Sequence, residues 1–318
     1  MNLVIIDSDP RLIEGLSVSL ERRASQVKVY TALSVREAMR AGFPEPAMVL
    51  HAYDGPTGLA AIRQRWPEAT VVLLCTQNED FAPTELFLGG DFVIEKPFNP
   101  GRIASLATLI QRHPNFRLGT LALRVQSQSW TSLQLKLASP MCRAEDIAPI
   151  VGADLGLTVA MMVVASATQA RSQSSPTISG LIARIGVERI ARLARDPRTP
   201  GWFGVSDDAP TQAQQHAVQA ACDAYDYVNS KPESALAYAI ALLSYANEFQ
   251  TDGSLTVPQL LEVLDAPASW VSTMNAVHEH SQWGDPIVAA VVAARRRAAQ
   301  STRTRRHKTI TVNLVDVA

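Results

Sequence analysis

The sequence predicts two folded regions of different class, a small doubly wound α/β domain followed by an all-α domain. Three observations predict it. Across roughly the first 110 residues, short apolar runs alternate with segments of helical period. From Pro140 onward strand signals almost vanish and helix-period segments follow one another. The chain has 318 residues, 47 % of them hydrophobic, enough for two ordinary domains each with its own core.

The elements follow in order. The predicted strands are Leu3 to Ile6, Val27 to Tyr30, Met48 to Leu50, Val71 to Leu74 and Phe92 to Ile94. Between and after them lie helical patterns at Arg11 to Arg22, from Val35, at Leu59 to Arg65, at Thr84 to Leu88 and at Pro100 to Arg112. Apolar strands that alternate with helices specify a parallel sheet covered on both faces. The helical half is punctuated by stops at Ser174-Ser175-Pro176, Asp196-Pro197 to Pro210, Lys231-Pro232 and Asp252-Gly253. His113 to Ser139 fits neither pattern. Its pieces Leu118 to Val125 and Trp130 to Leu137 read as strand-like, so residues 116–139 are taken as an ordered connector between domains at 1–115 and 140–300, with a basic tail at 301–318.

Composition narrows the function classes. With 29 basic and 30 acidic residues the net charge is −1, so no whole-chain field points to nucleic acid or anionic lipid. Cys75, Cys142 and Cys222 lie far apart with no CxxC spacing, which argues for reduced core thiols and against a zinc cluster or disulfide framework. The start, Met1 to Asp7, lacks the basic opening and long apolar stretch of a signal peptide, and a cytoplasmic protein is expected. Leu157 to Ala167 and Ile287 to Ala294 fall short of the roughly 20 apolar residues that cross a bilayer, so no membrane span is expected.

In doubly wound sheets ligands meet the carboxyl ends of the strands. Polar residues gather there: Asp7-Ser8-Asp9-Pro10 after the first strand, His51-Ala52-Tyr53-Asp54 after the third, Thr76 after the fourth and Lys96-Pro97-Phe98 after the fifth. This order, with Gly55-Pro56 and Gly89-Gly90-Asp91-Phe92, resembles the response-regulator receiver family over residues 1 to 112. The resemblance implies a flavodoxin-like doubly wound sheet of five parallel strands. It also implies a magnesium site at an acidic pair, a phosphoryl-accepting aspartate on the third strand, and a hydroxyl residue and a lysine that respond to it. Thr76 and Lys96 match. The acidic pair reads Asp7-Ser8, with Asp9 one place on, and His51 or Ala52 stands where the acceptor belongs. Asp54 is either a displaced acceptor or a turn residue before Gly55-Pro56, with the turn favoured. For Lys96 an ion pair with Asp7 or Asp9 is expected.

The second half resembles the HDOD family, helical output domains related to HD phosphohydrolases. The resemblance rests on Ala144-Glu145-Asp146-Ile147, on Asp154 to Thr158 with Asp154 as a helix N-cap, and on Ala165-Ser166-Ala167. It is carried further by Ser175-Pro176-Thr177-Ile178-Ser179 and Ile185-Gly186-Val187-Glu188. An HD/HDOD-like helical bundle is implied. A working HD enzyme needs paired histidines and aspartates to hold a metal that activates water. His216 matches the first histidine position, but Ser244-Tyr245 stands where the His-Asp dyad is expected. His278 and His280 are two residues apart and point about 200° apart on a helix, which suits surface or packing roles better than one shared ion. Arg184, Arg189, Arg192 and Arg195, around a small turn at Gly186, suggest a helix-turn-helix at first sight and are read as a solvated face.

The tail carries a basic run, Arg295, Arg296, Arg297, Arg303, Arg305, Arg306 and Lys308, then an alternating stretch Thr309 to Val315 that reads as a strand. A solvated helix end is the favoured reading of the run, and an acidic protein, a nucleotide or nucleic acid are the alternatives. The sequence therefore leads to an expected non-enzymatic signalling adaptor, a phosphorylation-independent pseudo-receiver joined to an HDOD output domain. It would work through protein partners, second-messenger enzymes among them, or a second copy of itself, with nucleic acid disfavoured and no cofactor or metal. The docking face implied by the receiver resemblance is the last strand and helix, around Phe92, Phe98 and Arg102. The alternatives are a metal-dependent nucleotide or cyclic dinucleotide phosphohydrolase and a nucleic-acid-binding regulator.

Overall fold

The computed structural model describes residues 1–23, 26–76, 90–98, 100–114, 121–167, 177–228, 230–250, 255–264, 266–279 and 285–301. They fall in two compact units, 1–121 together with 166–169, and 122–165 together with 170–318. No helix among the described residues is long and apolar enough to cross a membrane.

The first unit is a five-stranded, all-parallel sheet of order β2-β1-β3-β4-β5. Its strands are β1 (Asn2–Ile6), β2 (Lys28–Ala32), β3 (Met48–Ala52), β4 (Thr70–Thr76) and β5 (Phe92–Lys96). The helices are α1 (Pro10–Arg23), α2 (Val35–Arg40), α3 (Pro56–Arg65) and α4 (Pro100–Arg112). The expected helix at Thr84 to Leu88 lies outside the described residues. The order follows from composition. β1, β3 and β4 are apolar in continuous runs, and Leu3 to Ile6, Met48 to Leu50 and Val71 to Cys75 are all buried, as strands covered on both faces must be. β2, Lys-Val-Tyr-Thr-Ala, alternates polar and apolar and takes an edge, where Lys28 is exposed and Val29 and Tyr30 half-exposed. Asp91 ties β4 to the start of β5: its Oδ2 accepts from the Val71 backbone N–H and from Arg63 of α3, both at 2.7 Å.

The second unit is helical. In order it contains α5 (Ser127–Leu137), α6 (Ala144–Gly152), α7 (Leu155–Ala167), α8 (Ile178–Ile185), α9 (Val187–Arg195) and α10 (Thr199–Trp202). These are followed by α11 (Gln212–Tyr227), α12 (Lys231–Leu243), a 3-10 turn at Ala246–Phe249, α13 (Val257–Val263), α14 (Ala268–His278) and α15 (Pro286–Ser301). Its centre is α12, whose residues Ala237 to Leu243 are wholly buried; an all-round apolar helix belongs inside a bundle. α11 packs on it with Ala217, Ala220, Ala221 and Ala224, a stripe at helical spacing whose small side chains let helices approach closely, and α15 packs against both. Asp154 caps α7 as the sequence predicts, accepting from the N–H of Leu157 at 3.1 Å and of Gln126 at 2.8 Å.

One expectation is overturned. Trp130 to Leu137 does not form a strand but lies in α5, with Trp130, Leu133 and Leu137 buried on one face. The spacing 130, 133, 137 is helical, and the run of β-favouring types that suggested a strand is outweighed by burial of that face. Of the strand-like piece before it, 118–120 lie outside the described residues, while residues 122–126 run as an extended strap held by isolated bonds. Ala122 N–H donates to Phe249 O at 2.8 Å, Ser206 N–H to Val125 O at 3.1 Å, and the Gln214 side-chain amide to Arg124 O at 2.7 Å. The strap passes so close to Gly156 and Gly204 that a Cβ at either would strike the backbone carbonyl of Arg124 or Leu123. Gly204 also sits at φ +57°.

Gly156→Ala should therefore destabilise the helical unit by about 2 kcal/mol or more, because the neighbour in the way is backbone and cannot rotate aside. Gly201→Ala, with open space around the added methyl, should stay within about 0.5 kcal/mol. Urea unfolding of the two variants checks the pair.

Candidate functional site

The carboxyl ends of β1, β3, β4 and β5 meet where the sequence places the polar residues. The pairing of Ile6 with His51 continues outward to set Asp7 of the β1 end beside Ala52 of β3, and Thr76 pairs with Lys96. Asp7 is 2 % exposed, and its Oδ2 accepts from Lys96 Nζ at 2.5 Å. Its Oδ1 accepts from the Asp9 N–H at 3.0 Å. Of the two partners open to Lys96, the structure thus selects Asp7. Asp9 is instead a helix cap: its Oδ1 accepts from the backbone of Arg11 and Leu12 at 2.9 and 3.3 Å, ahead of Pro10 in the first turn of α1.

Ala52, beside Asp7, offers no nucleophilic atom. His51 is 1 % exposed, and neither ring nitrogen has a hydrogen-bond partner among the described residues. Its Nε2 lies 3.2 Å from Oδ1 of Asp54, an ion-pair distance without hydrogen-bond alignment. Asp54 is 62 % exposed at its side chain and occupies the turn before α3, where Gly55 stands at φ +120°. Gly58, one turn on, leaves the space that both His51 and Asp54 fill. Sequence reading missed that role, and the signal was available: a glycine near the N-terminus of an otherwise well-formed helix marks a close approach. Thr76 ends β4 exposed to solvent.

Of the docking residues, Phe92 is a core side chain, 4 % exposed, and offers no surface to a partner. Phe98 and Arg102 are half-buried. The helix-turn-helix resemblance corresponds to α8 and α9 joined at Gly186, φ +88°. Arg192 and Arg195 are exposed on the polar face of α9, while Ile190, Ala191, Leu193 and Ala194 are buried on the other.

In the helical unit the HD positions separate. His216 on α11 and Tyr245 after α12 come together, with ring centroids 6.5 Å apart and planes at 59°. Ser244 turns away: its hydroxyl donates to the Ala241 carbonyl at 2.7 Å inside the helix end. His278 is exposed at the last residue of α14, and His280 lies outside the described residues. Arg295 of α15 completes the His216 and Tyr245 cluster, its guanidinium carbon 5.5 Å from the Tyr245 ring centroid. Burial raises the Tyr245 phenol, and Arg295 works in the opposite sense through its charge and a hydrogen bond. Arg297 lies 3.8 Å from Asp223. Arg303, Arg305, Arg306, Lys308 and the strand expected at Thr309 to Val315 lie outside the described residues. No group of three or more metal-ligating side chains suited to an ion is present among the described residues. No family model, curated protein or solved structure matches the chain.

Two outcomes follow from the sheet-end geometry. Lys96→Met leaves the Asp7 carboxylate buried and unpaired and should cost about 2 to 4 kcal/mol, moderated by the partial exposure of Lys96. Adding Asp7→Asn should recover part of that loss in a double-mutant cycle, whereas simple additivity would contradict the pairing. The second concerns pH. Burial holds the His51 imidazole below its ordinary range, with Asp54 and Asp7 pulling upward against it. The unfolded chain takes up its proton near pH ~6.5, above the folded value, so stability falls as pH drops below ~6.5 and levels off below the folded value. The urea midpoint should decline from about pH 7 to about pH 5, and His51→Leu should flatten part of that decline; parallel pH curves for the two proteins would contradict it.

Proposed function

We propose that this chain is a non-enzymatic signalling adaptor in which a degenerate receiver domain takes its input by contact and an HDOD-like helical domain carries the output by protein-protein interaction. One observation carries the reading: at the carboxyl end of the sheet Lys96 is paired with the buried Asp7. A receiver would have an aspartate beside the acidic pair on the third strand; here Ala52 stands beside Asp7, and Asp7 is already held by Lys96. A lysine that senses a phosphoryl group has to be free to move toward it. This one spends its charge on a buried carboxylate.

The five-stranded parallel sheet of order β2-β1-β3-β4-β5, with alternating helices, is a receiver-like frame, and it supports the first half of the reading. Support for the second half is the motif order from Ala144 to Glu188 in a mostly helical unit. The hydrolase alternative calls for a histidine-aspartate dyad where Ser244 is bonded into its own helix end and Tyr245 stacks on Arg295. No observation favours it, or the nucleic-acid alternative, over contact signalling.

Incubation with magnesium and acetyl phosphate followed by intact-mass measurement tests the claim. The mass should stay unchanged. A stable phosphoryl adduct that disappears in Asp54→Asn would place an acceptor in the turn and overturn the reading.

A further inference from the structure

β2 is an edge strand of the sheet, and its hydrogen-bond phase fixes what that edge offers. The Lys28 N–H donates to Met1 O at 2.9 Å and the Asp7 N–H to Ala32 O at 3.2 Å, so Lys28, Tyr30 and Ala32 bond inward to β1. Alternation aims the amide and carbonyl groups of Val29 and Thr31 outward, where neither residue has a backbone partner among the described residues. A groove of about 410 Å³, lined by Ile13 and Ser17 of α1 and by Val29, Thr31 and Leu33, runs between α1 and this edge. Leu33, a large apolar side chain, is left 50 % exposed there. Unpaired backbone groups on an edge are a template for another strand.

Charge selects the strand that fits. At its start β2 carries the exposed Lys28, whose Nζ meets the Tyr30 ring 5.3 Å from its centroid. At its end the exposed Glu37, in the first turn of α2, folds back to accept from the Leu33 N–H at 2.7 Å. Among the described residues no carboxylate pairs with Lys28 and no cation with Glu37. An edge lysine ordinarily discourages pairing, yet a strand with a cation at one end and an acid at the other complements an antiparallel copy of itself.

We propose that β2 pairs antiparallel with β2 of a second copy of this chain, about a two-fold axis at Tyr30. In that register Val29 lies opposite Thr31 of the second copy, and each outward N–H meets an outward carbonyl. The same register overlaps the five-residue strands from end to end, Lys28 against Ala32. A shift by one residue would set outward groups against inward ones, and a shift by two would carry Val29 or Thr31 past the end of its partner. Lys28 of each copy then lies beside the strand end where the other copy holds Glu37. The β-branched Val29 and Thr31 face each other on the α1 side. Such a contact is isologous and closes at two copies. It does not rest on the adaptor reading, and its failure would leave the account of the sheet's carboxyl end untouched.

Sedimentation velocity on the full chain from about 5 to about 300 μM covers the affinities expected of a small interface, with amide hydrogen exchange followed by NMR over the same range. A reversible monomer–dimer equilibrium is expected, in which protection of the Val29 and Thr31 amides rises with concentration. Thr31→Pro removes an N–H that the sheet does not use and should abolish the dimer while the monomer keeps its thermal unfolding transition. Lys28→Glu and Glu37→Lys should each weaken association by roughly tenfold, because the two-fold axis repeats each change. An equimolar mixture of those two variants should recover the parent's affinity, since every pair across that heterodimer again joins opposite charges. A chain that stays monomeric, a dimer that survives Thr31→Pro, or a mixture no tighter than the single variants would each overturn the proposal. Protection of Val29 and Thr31 that does not change with concentration would assign the edge to another segment of the same chain and overturn it as well.

Discussion

The first unit is organised around the buried carboxylate of Asp7. Asp7 follows a strand whose residues Leu3 to Ile6 are apolar and buried, and a carboxylate so placed persists only with a cation and donors around it. Lys96 provides the cation from the far edge strand and the Asp9 amide provides a donor from the turn. The pair therefore joins the first strand of the sheet to the last. It also fixes what the sheet end can do: the acid is neutralised by a residue of the same chain, and the strand beside it ends in alanine. The turn from β3 into α3 is shaped by the same economy of space, with His51 turned inward, Asp54 outward, and Gly58 leaving room for both.

The helical unit depends on close backbone approach. An extended strap of five residues is received by two glycines and pinned by backbone and side-chain bonds to residues distant in sequence. This explains why the connector region belongs with the helices: its carbonyl and amide groups find their partners at Phe249, Phe203, Ser206 and Gln214, all in that unit. Alanine-faced α11 against the buried α12 continues the same theme of small side chains and short separations.

The sheet was legible in the sequence because central parallel strands are apolar on both faces, and such runs, with an alternating edge strand among them and helical patterns between, leave few alternatives. The cap at Asp154 was legible for a local reason, since an aspartate ahead of an apolar run has a nearby amide to accept from. Trp130 to Leu137 was misread, because tryptophan, threonine and leucines in close succession satisfy either period until burial decides between them. The partner of Lys96 could be narrowed to two aspartates but no further: Asp9 was claimed by the start of α1, and the geometry of a cap is set by backbone that sequence does not display. Arg295 was grouped with a basic run, and its meeting with His216 and Tyr245 was invisible, since residues 50 and 79 positions away are brought beside it only by the packing of three helical segments.

The function proposed for the sheet end rests on Asp7 being held by Lys96, with no acceptor beside them among the described residues. Backbone amide NMR spectra recorded with and without magnesium and beryllium fluoride, a non-covalent mimic of a phosphoryl group, test it most directly. The account predicts that the resonances of Asp7, Ala52, Asp54, Thr76 and Lys96 stay in place. Saturable shifts confined to those residues would contradict it, because they would require Lys96 to leave Asp7 for an incoming anion.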